Sequence, residues 1–237
     1  MKTCLSVTIL LFVAGAVSTV TAGNKRPTGR VDGDRFVDQQ YNVTLQKYEN
    51  WKYGKIANED STKPIHTRCI ITQKNYVIPT EWQDNQEKFS APTIGLWVDT
   101  SEMILDAYAA ELAYARSKRP SRKELAHDFP TLQSGDFIEQ APAKIAGQPA
   151  ILMHYRQAYE VELYKRATNM NKLIEEVLLG DVYLVKRDNL VFVLHFTSER
   201  AIYRTANEEA KNIIMSLDLY PKPDSSQTAP PVGHGGQ

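Results

Sequence analysis

Cys69 and the histidines His66, His127, His154 and His195 are the residues of the expected folded region whose types could carry nucleophilic or metal chemistry. Thiol attack needs a thiolate with a base beside it. In His66-Thr67-Arg68-Cys69-Ile70-Ile71 the imidazole and the thiol stand three residues apart, and that spacing on a strand sends them to opposite faces. Cys69 therefore reads as a small buried hydrophobe. His154 and His195 fall on strands expected in one sheet, where they could meet as metal ligands. Hydrogen-bonded strand histidines are the simpler reading, no histidine pair has ligand spacing, and no metal site is assigned. His127-Asp128 reads as an exposed pair at a helix end. Tyr48, Trp51 and Tyr53 either line a ligand groove or pack on a sheet edge, and these five residues make up the candidate groove. Glu175-Glu176 and Glu208-Glu209 read as solvated faces. No nucleophile elbow or cysteine-protease signature is present, so no catalytic residue is assigned and no cofactor is named.

The elements that would position such residues are clearest near the C-terminus. Val182 to Arg187 and Leu190 to Thr197 are rich in Val, Tyr, Phe and Leu, and Asp188-Asn189 between them suits a tight hairpin turn. The unbroken apolar run Leu190 to Leu194 predicts a central strand covered on both faces. Thr205-Ala206-Asn207-Glu208 fits a capping box, which predicts a helix starting there with Ala206, Ala210, Ile213, Ile214 and Leu217 on its buried face. Upstream, strands are predicted from Tyr41, over His66–Ile71 and over Thr93–Val98. A helix follows over Ser101–Arg116, with Ile104, Leu105, Tyr108, Leu112 and Ala115 as its stripe. Ser121-Arg122-Lys123-Glu124 predicts a short further helix to about Asp128. Phe137–Ile145 and Ala150–Tyr159 read as paired strands turning at Gly147, whereas Glu160 to Glu176 reads as a loop.

The ends speak to compartment. Lys2, the apolar run Leu5–Val17 and the small-residue pattern Val20-Thr21-Ala22 have the three parts of a secretory signal peptide, with cleavage expected after Ala22. Residues 23–40 read as a flexible lead-in, 41–219 as one folded domain and 220–237 as a disordered tail. A secreted or periplasmic protein with no membrane span after cleavage is expected. The 28 basic and 28 acidic residues cancel, which gives no electrostatic case for nucleic acid. With Cys4 in the leader, Cys69 has no partner for an internal disulfide.

Several features occur in a familiar order: Ile78-Pro79 followed by Trp82, the strand Thr93–Val98 and its helix, the turn Ala146-Gly147-Gln148-Pro149-Ala150, and the closing hairpin and helix to Ser216. In this the chain resembles the PsbP/Mog-like superfamily from about Tyr41 to Leu219. The resemblance implies an α+β fold, an α/β/α sandwich around a central, largely antiparallel sheet. It carries over no partner-binding residue, and a shared fold is poor evidence of shared function. The expectation is an exported, non-enzymatic module with a protein partner. An exported hydrolase or small-ligand enzyme is the alternative, and a metal-binding module the third reading.

Overall fold

In the computed structural model, which describes residues 28–56, 65–117, 136–166 and 168–220, the chain is built around antiparallel pairing of neighbours in sequence. Strands β1 (Gly29–Asp32), β2 (Arg35–Asp38) and β3 (Val43–Gln46) precede β4 (Trp51–Ile56), β5 (Ile65–Gln73), a 3-10 segment (Thr80–Lys88) and β6 (Thr93–Thr100). Helix α1 (Leu105–Ser117) is followed by β7 (Asp136–Ile145), β8 (Gln148–Lys165), β9 (Met170–Arg187), β10 (Leu190–Glu199), α2 (Arg200–Met215) and β11 (Asp218–Leu219). A seven-stranded sheet has the order β4-β5-β6-β10-β9-β8-β7, and a four-stranded sheet the order β1-β2-β3-β11.

Two turns close the hairpins at the heart of the long sheet. Between β7 and β8 both Ala146 (φ 52°) and Gly147 (φ 74°) are left-handed, the twist that a two-residue hairpin requires, and Asp188 (φ 56°) does the same between β9 and β10. The strand β10 lies between β6 and β9, and Val191 to Leu194 are fully buried. One glycine here answers to space: a Cβ on Gly95 would fall 1.9 Å from the Trp97 indole, which lies across it on the same face of β6.

Two cores result, one on each face of the long sheet. Helix α1 closes the smaller, in which Tyr108 and Ala109 meet Trp97, Met153, Tyr155, Val182 and Val193. Of the predicted α1 stripe, Leu105 and Leu112 also pack here, whereas Ile104, just ahead of the helix, is 71% exposed. Helix α2 closes the larger core with Ile202, Ala206, Ala210, Ile213 and Ile214, and the four-stranded sheet joins it on that side through Phe36, Val43 and Leu45. Trp82 packs there too, stacked on Phe89 with ring centroids 3.9 Å apart.

The α/β/α sandwich implied by the resemblance is corrected by this architecture. Among the described residues the chain is β-rich, with two antiparallel sheets in place of one, and one helix of 13 and one of 16 residues cover the two faces of the long sheet. The reason lies in segments that looked unsuited to strands. Gly29 to Asp38, inside the region read as an unstructured lead-in, pairs as the β1-β2 hairpin around a fully buried Phe36. Glu160 to Glu176, read as a loop, is the far end of the β8-β9 hairpin, whose two strands are each 18 residues long. Helix α2 also begins earlier than its capping box suggested. Strand β10 feeds straight into it at Arg200, and Thr205, now interior, donates its hydroxyl to Ile202 O at 2.8 Å. The predicted leader, the Ser121–Asp128 helix and the tail beyond Tyr220 lie outside the described residues.

Candidate functional site

Three polar or exposed constructions stand out on the long sheet. The first is centred on Asp181. Its place in the β8-β9-β10 ladder sets it level with His154 on one side and Phe196 on the other. The carboxylate is buried, and its Oδ1 accepts from the Tyr203 hydroxyl at 2.8 Å and lies 2.7 Å from His154 Nδ1. Burial and then the Asp181 charge hold the Tyr203 hydroxyl protonated, and the same two causes push Tyr183 up to about 12. With Asp181 fixing one ring nitrogen, the half-exposed imidazole has the orientation of a proton-transfer group. Nucleophilic catalysis needs a hydroxyl or thiol as well. Among the described residues no serine, threonine or cysteine bonds to His154. Cys69 is fully buried, and burial pushes its thiol up, away from reactivity.

The second construction surrounds Glu199, the last residue of β10 and the residue preceding α2. It is 1% exposed, accepting from Ser90 N at 3.1 Å and from the Tyr159 hydroxyl at 2.8 Å. Burial raises its pKa, the two hydrogen bonds oppose that rise, and the charge of Glu176 adds to it. Since the folded chain holds this proton more tightly than the unfolded one, the contribution to stability is full below the ordinary glutamate value of 4.5 and falls away as pH rises through the higher folded value. Glu199→Gln removes the titration while its carbonyl oxygen still accepts from Ser90 N and its NH2 group donates to the Tyr159 oxygen, the hydroxyl turning to serve as acceptor. We therefore expect wild type to lose stability relative to this variant as pH is raised from about 4 to 7. Melting temperatures of the pair that ran parallel over that range would contradict the assignment.

The third is an arm. Among the described residues β7 accompanies β8 only as far as Arg156 and β10 accompanies β9 only as far as Leu178, and past these points β8 and β9 pair with each other. At ~3.3 Å per residue this extension measures roughly 30 Å. Asn85, buried at a break in the 3-10 segment (φ −136°, ψ 27°), clamps it. Its amide donates to Tyr164 O and accepts from Tyr164 N, both at 2.8 Å, and the Lys88 ammonium donates to Glu162 O. Val161 and Leu163 are buried beneath, while Met170, Leu173 and Tyr164 are 64%, 60% and 40% exposed. A shallow cleft of about 330 Å³ between the start of α1 and the β7-β8 turn, lined by Leu105, Pro142, Pro149 and Ile151, holds Asp106 as its single charge.

The residues singled out from sequence are dispersed. Tyr48 is half exposed. Trp51 is fully buried and donates its indole N–H to Glu209 Oε2 at 2.7 Å, and the Tyr53 hydroxyl donates to Leu45 O at 2.9 Å. His127 and Asp128 lie outside the described residues. His154 and His195 share the sheet but not a face: His154 points with Asp181 toward α2, whereas His195 packs edge-on against Tyr155 in the α1 core, centroids 5.7 Å apart. Among the described residues no three His, Cys, Asp or Glu side chains are grouped to hold a metal ion. Glu209 is no solvated residue, since it accepts from both Trp51 and Gln73. The Asp181 cluster escaped sequence reasoning because its members are 27 and 22 residues apart, and only the strand register brings them level.

No protein-family model and no curated protein sequence matches the chain. Among solved structures it is similar to the cyanobacterial PsbP (CyanoP) of Synechocystis sp. PCC 6803, at 10% identity and TM-score 0.47, covering 84% of this chain and 96% of that one. It is also similar to LpqN of Mycobacterium tuberculosis, described as involved in cell envelope biogenesis, at 14% identity and TM-score 0.40 over 76% and 83% of the two chains. A Bacteroides thetaiotaomicron structure shares 9% identity at TM-score 0.38, with 81% and 50% covered. At such values these likenesses assign neither family nor function. No helix among the described residues is long and apolar enough to cross a membrane.

Proposed function

We propose that this protein is an exported, non-enzymatic interaction module that engages a protein partner through the β8-β9 arm. The observation that carries the reading is the arm itself. Among the described residues it extends past the other strands of the sheet, is held in place by Asn85 and Lys88, and presents Met170, Leu173 and Tyr164 to solvent. Large exposed apolar side chains on a held element are what a protein-recognition surface offers. Export rests on the N-terminal pattern ending at Ala22.

Leu173→Asp tests this directly. Leu173 is exposed, so the substitution should alter stability by no more than about 0.5 kcal/mol, while recovery of the specific partner from the native compartment should fall at least ~10-fold. Undiminished recovery with the variant, or repeated failure of wild type to recover any specific partner, would count against the reading. A second reading, an exported small-ligand enzyme, draws on the His154-Asp181-Tyr203 cluster. Turnover lost in His154→Gln with an unchanged melt would favour it.

A further inference from the structure

Resting on the arm's role in binding, we infer that its outer backbone edge pairs with the same edge of a second copy of this chain. Asn85 occupies both the N–H and the C=O of Tyr164, so those groups point away from β9. Asn171 stands opposite Tyr164 in the ladder, and in such a pair both residues turn their backbone groups outward. Leu173 and Glu175 follow at the two-residue period. On the β8 side Asn85 and Lys88 cover the corresponding groups, whereas β10 reaches only as far as Leu178. Among the described residues no strand lies along Met170 to Glu175 on this side. It is an edge to which an antiparallel strand can be added.

The sequence of the edge, Met170-Asn171-Lys172-Leu173-Ile174-Glu175-Glu176-Val177, selects the occupant. A lysine in the middle of an open edge usually deters pairing. Here it fits a two-fold arrangement. With the axis through Ile174, outward backbone groups meet outward groups, Leu173 against Glu175, and Lys172 of each copy stands opposite Glu176 of the other. Ile174 then meets its own counterpart, the new pairing stops short of Leu178, where β10 already occupies the edge, and no like charges are opposed. Neighbouring registers lose this. An axis through Lys172 sets lysine on lysine, one through Glu175 sets glutamate on glutamate, and one through Leu173 leaves Lys172 facing Ile174. The charges therefore specify a single self-pairing, in which Lys172 also offsets the repulsion that Glu176 exerts on Glu199.

Sedimentation equilibrium of the purified chain, with a melt recorded for every variant, decides it. Wild type should form a dimer. Lys172→Glu and Glu176→Lys should each weaken it at least ~10-fold, since two attractive pairs become repulsive. The combined exchange Lys172→Glu/Glu176→Lys should restore it, a rescue that a folding defect would not give. Ile174→Cys should cross-link under mild oxidation, because identical residues face each other on the axis. A monomer at every soluble concentration, or a dimer indifferent to the reversals, overturns the inference. Capture on this edge of an extended segment of a different protein by a monomeric chain also overturns it, yet leaves the proposed function standing. Self-pairing without any other partner would do the reverse.

Discussion

Ile213→Asp is expected to abolish cooperative folding. Ile213 is fully buried on the face of α2 that also carries Ile202, Ala206, Ala210 and Ile214, and this face closes the larger core over β10 and the four-stranded sheet. The change removes a packed side chain, a loss of roughly 1.5 to 3 kcal/mol of burial. It also forces a carboxylate to lie unpaired in the core or to hold a proton there, at a further cost of several kcal/mol. Against a total stability of about 5 to 15 kcal/mol the sum leaves little folded chain. Glu209→Lys, on the helix side that sequence periodicity marks as solvated, would be neutral on that reading. The structure revises this, because Glu209 Oε2 accepts from the buried Trp51 indole at 2.7 Å and from Gln73 at 3.1 Å. A lysine strands both donors, at a cost of about 1 to 3 kcal/mol. Thermal melts should rank wild type above Glu209→Lys, with Ile213→Asp far below both. A stable Ile213→Asp protein would mean that another face of α2 is buried.

What could be read from sequence divides along the range of the interactions. The β9-β10 turn at Asp188-Asn189, the Gly147 turn and the apolar face of α2 are specified by neighbours within a few residues, and they stand where local rules put them. The arm could not be read that way. Val161, Leu163 and Ile174 carry its inner side, too sparse a pattern among Glu160, Glu162, Lys165, Lys172 and Glu175 to signal two strands. Its stability comes from Asn85, some 80 residues earlier in the chain. The capping box at Thr205 misled for a related reason. Strand β10 runs into the helix without a loop, so the start is set by the sheet and not by a capping residue. The His154-Asp181 contact is legible only after the hairpin is extended through Glu160 to Glu176, since that extension fixes the register.

One buried long-range ion pair ties the β1-β2 hairpin to β5, and breaking it should cost nearly as much as a core defect. Arg68 on β5 and Asp38 at the end of β2 are 1% and 0% exposed, with Arg68 Nε 2.5 Å from Asp38 Oδ2. The pair is well satisfied. Arg68 Nη2 donates to Thr28 Oγ1 at 2.6 Å, Asp38 Oδ1 accepts from Gln40 N and Tyr41 N, and the guanidinium lies 4.8 Å from the Tyr41 ring centroid. These bonds join the four-stranded sheet to the seven-stranded one. Asp38→Ala leaves a buried guanidinium without its carboxylate and two backbone donors without an acceptor, a loss of about 3 to 5 kcal/mol. For a chain of this size that lowers Tm by roughly 10 °C or more. Amide exchange should accelerate first in β1, β2 and β3, which the pair docks, while β8 to β10 keep their protection. Asp38→Ala/Arg68→Met removes both charges together and should recover much of the loss, because a desolvated ion pair and an apolar replacement of similar volume are often close in free energy. A double variant no more stable than Asp38→Ala would show that the acceptor for Gln40 and Tyr41, and not the ion pair, is what holds the hairpin down.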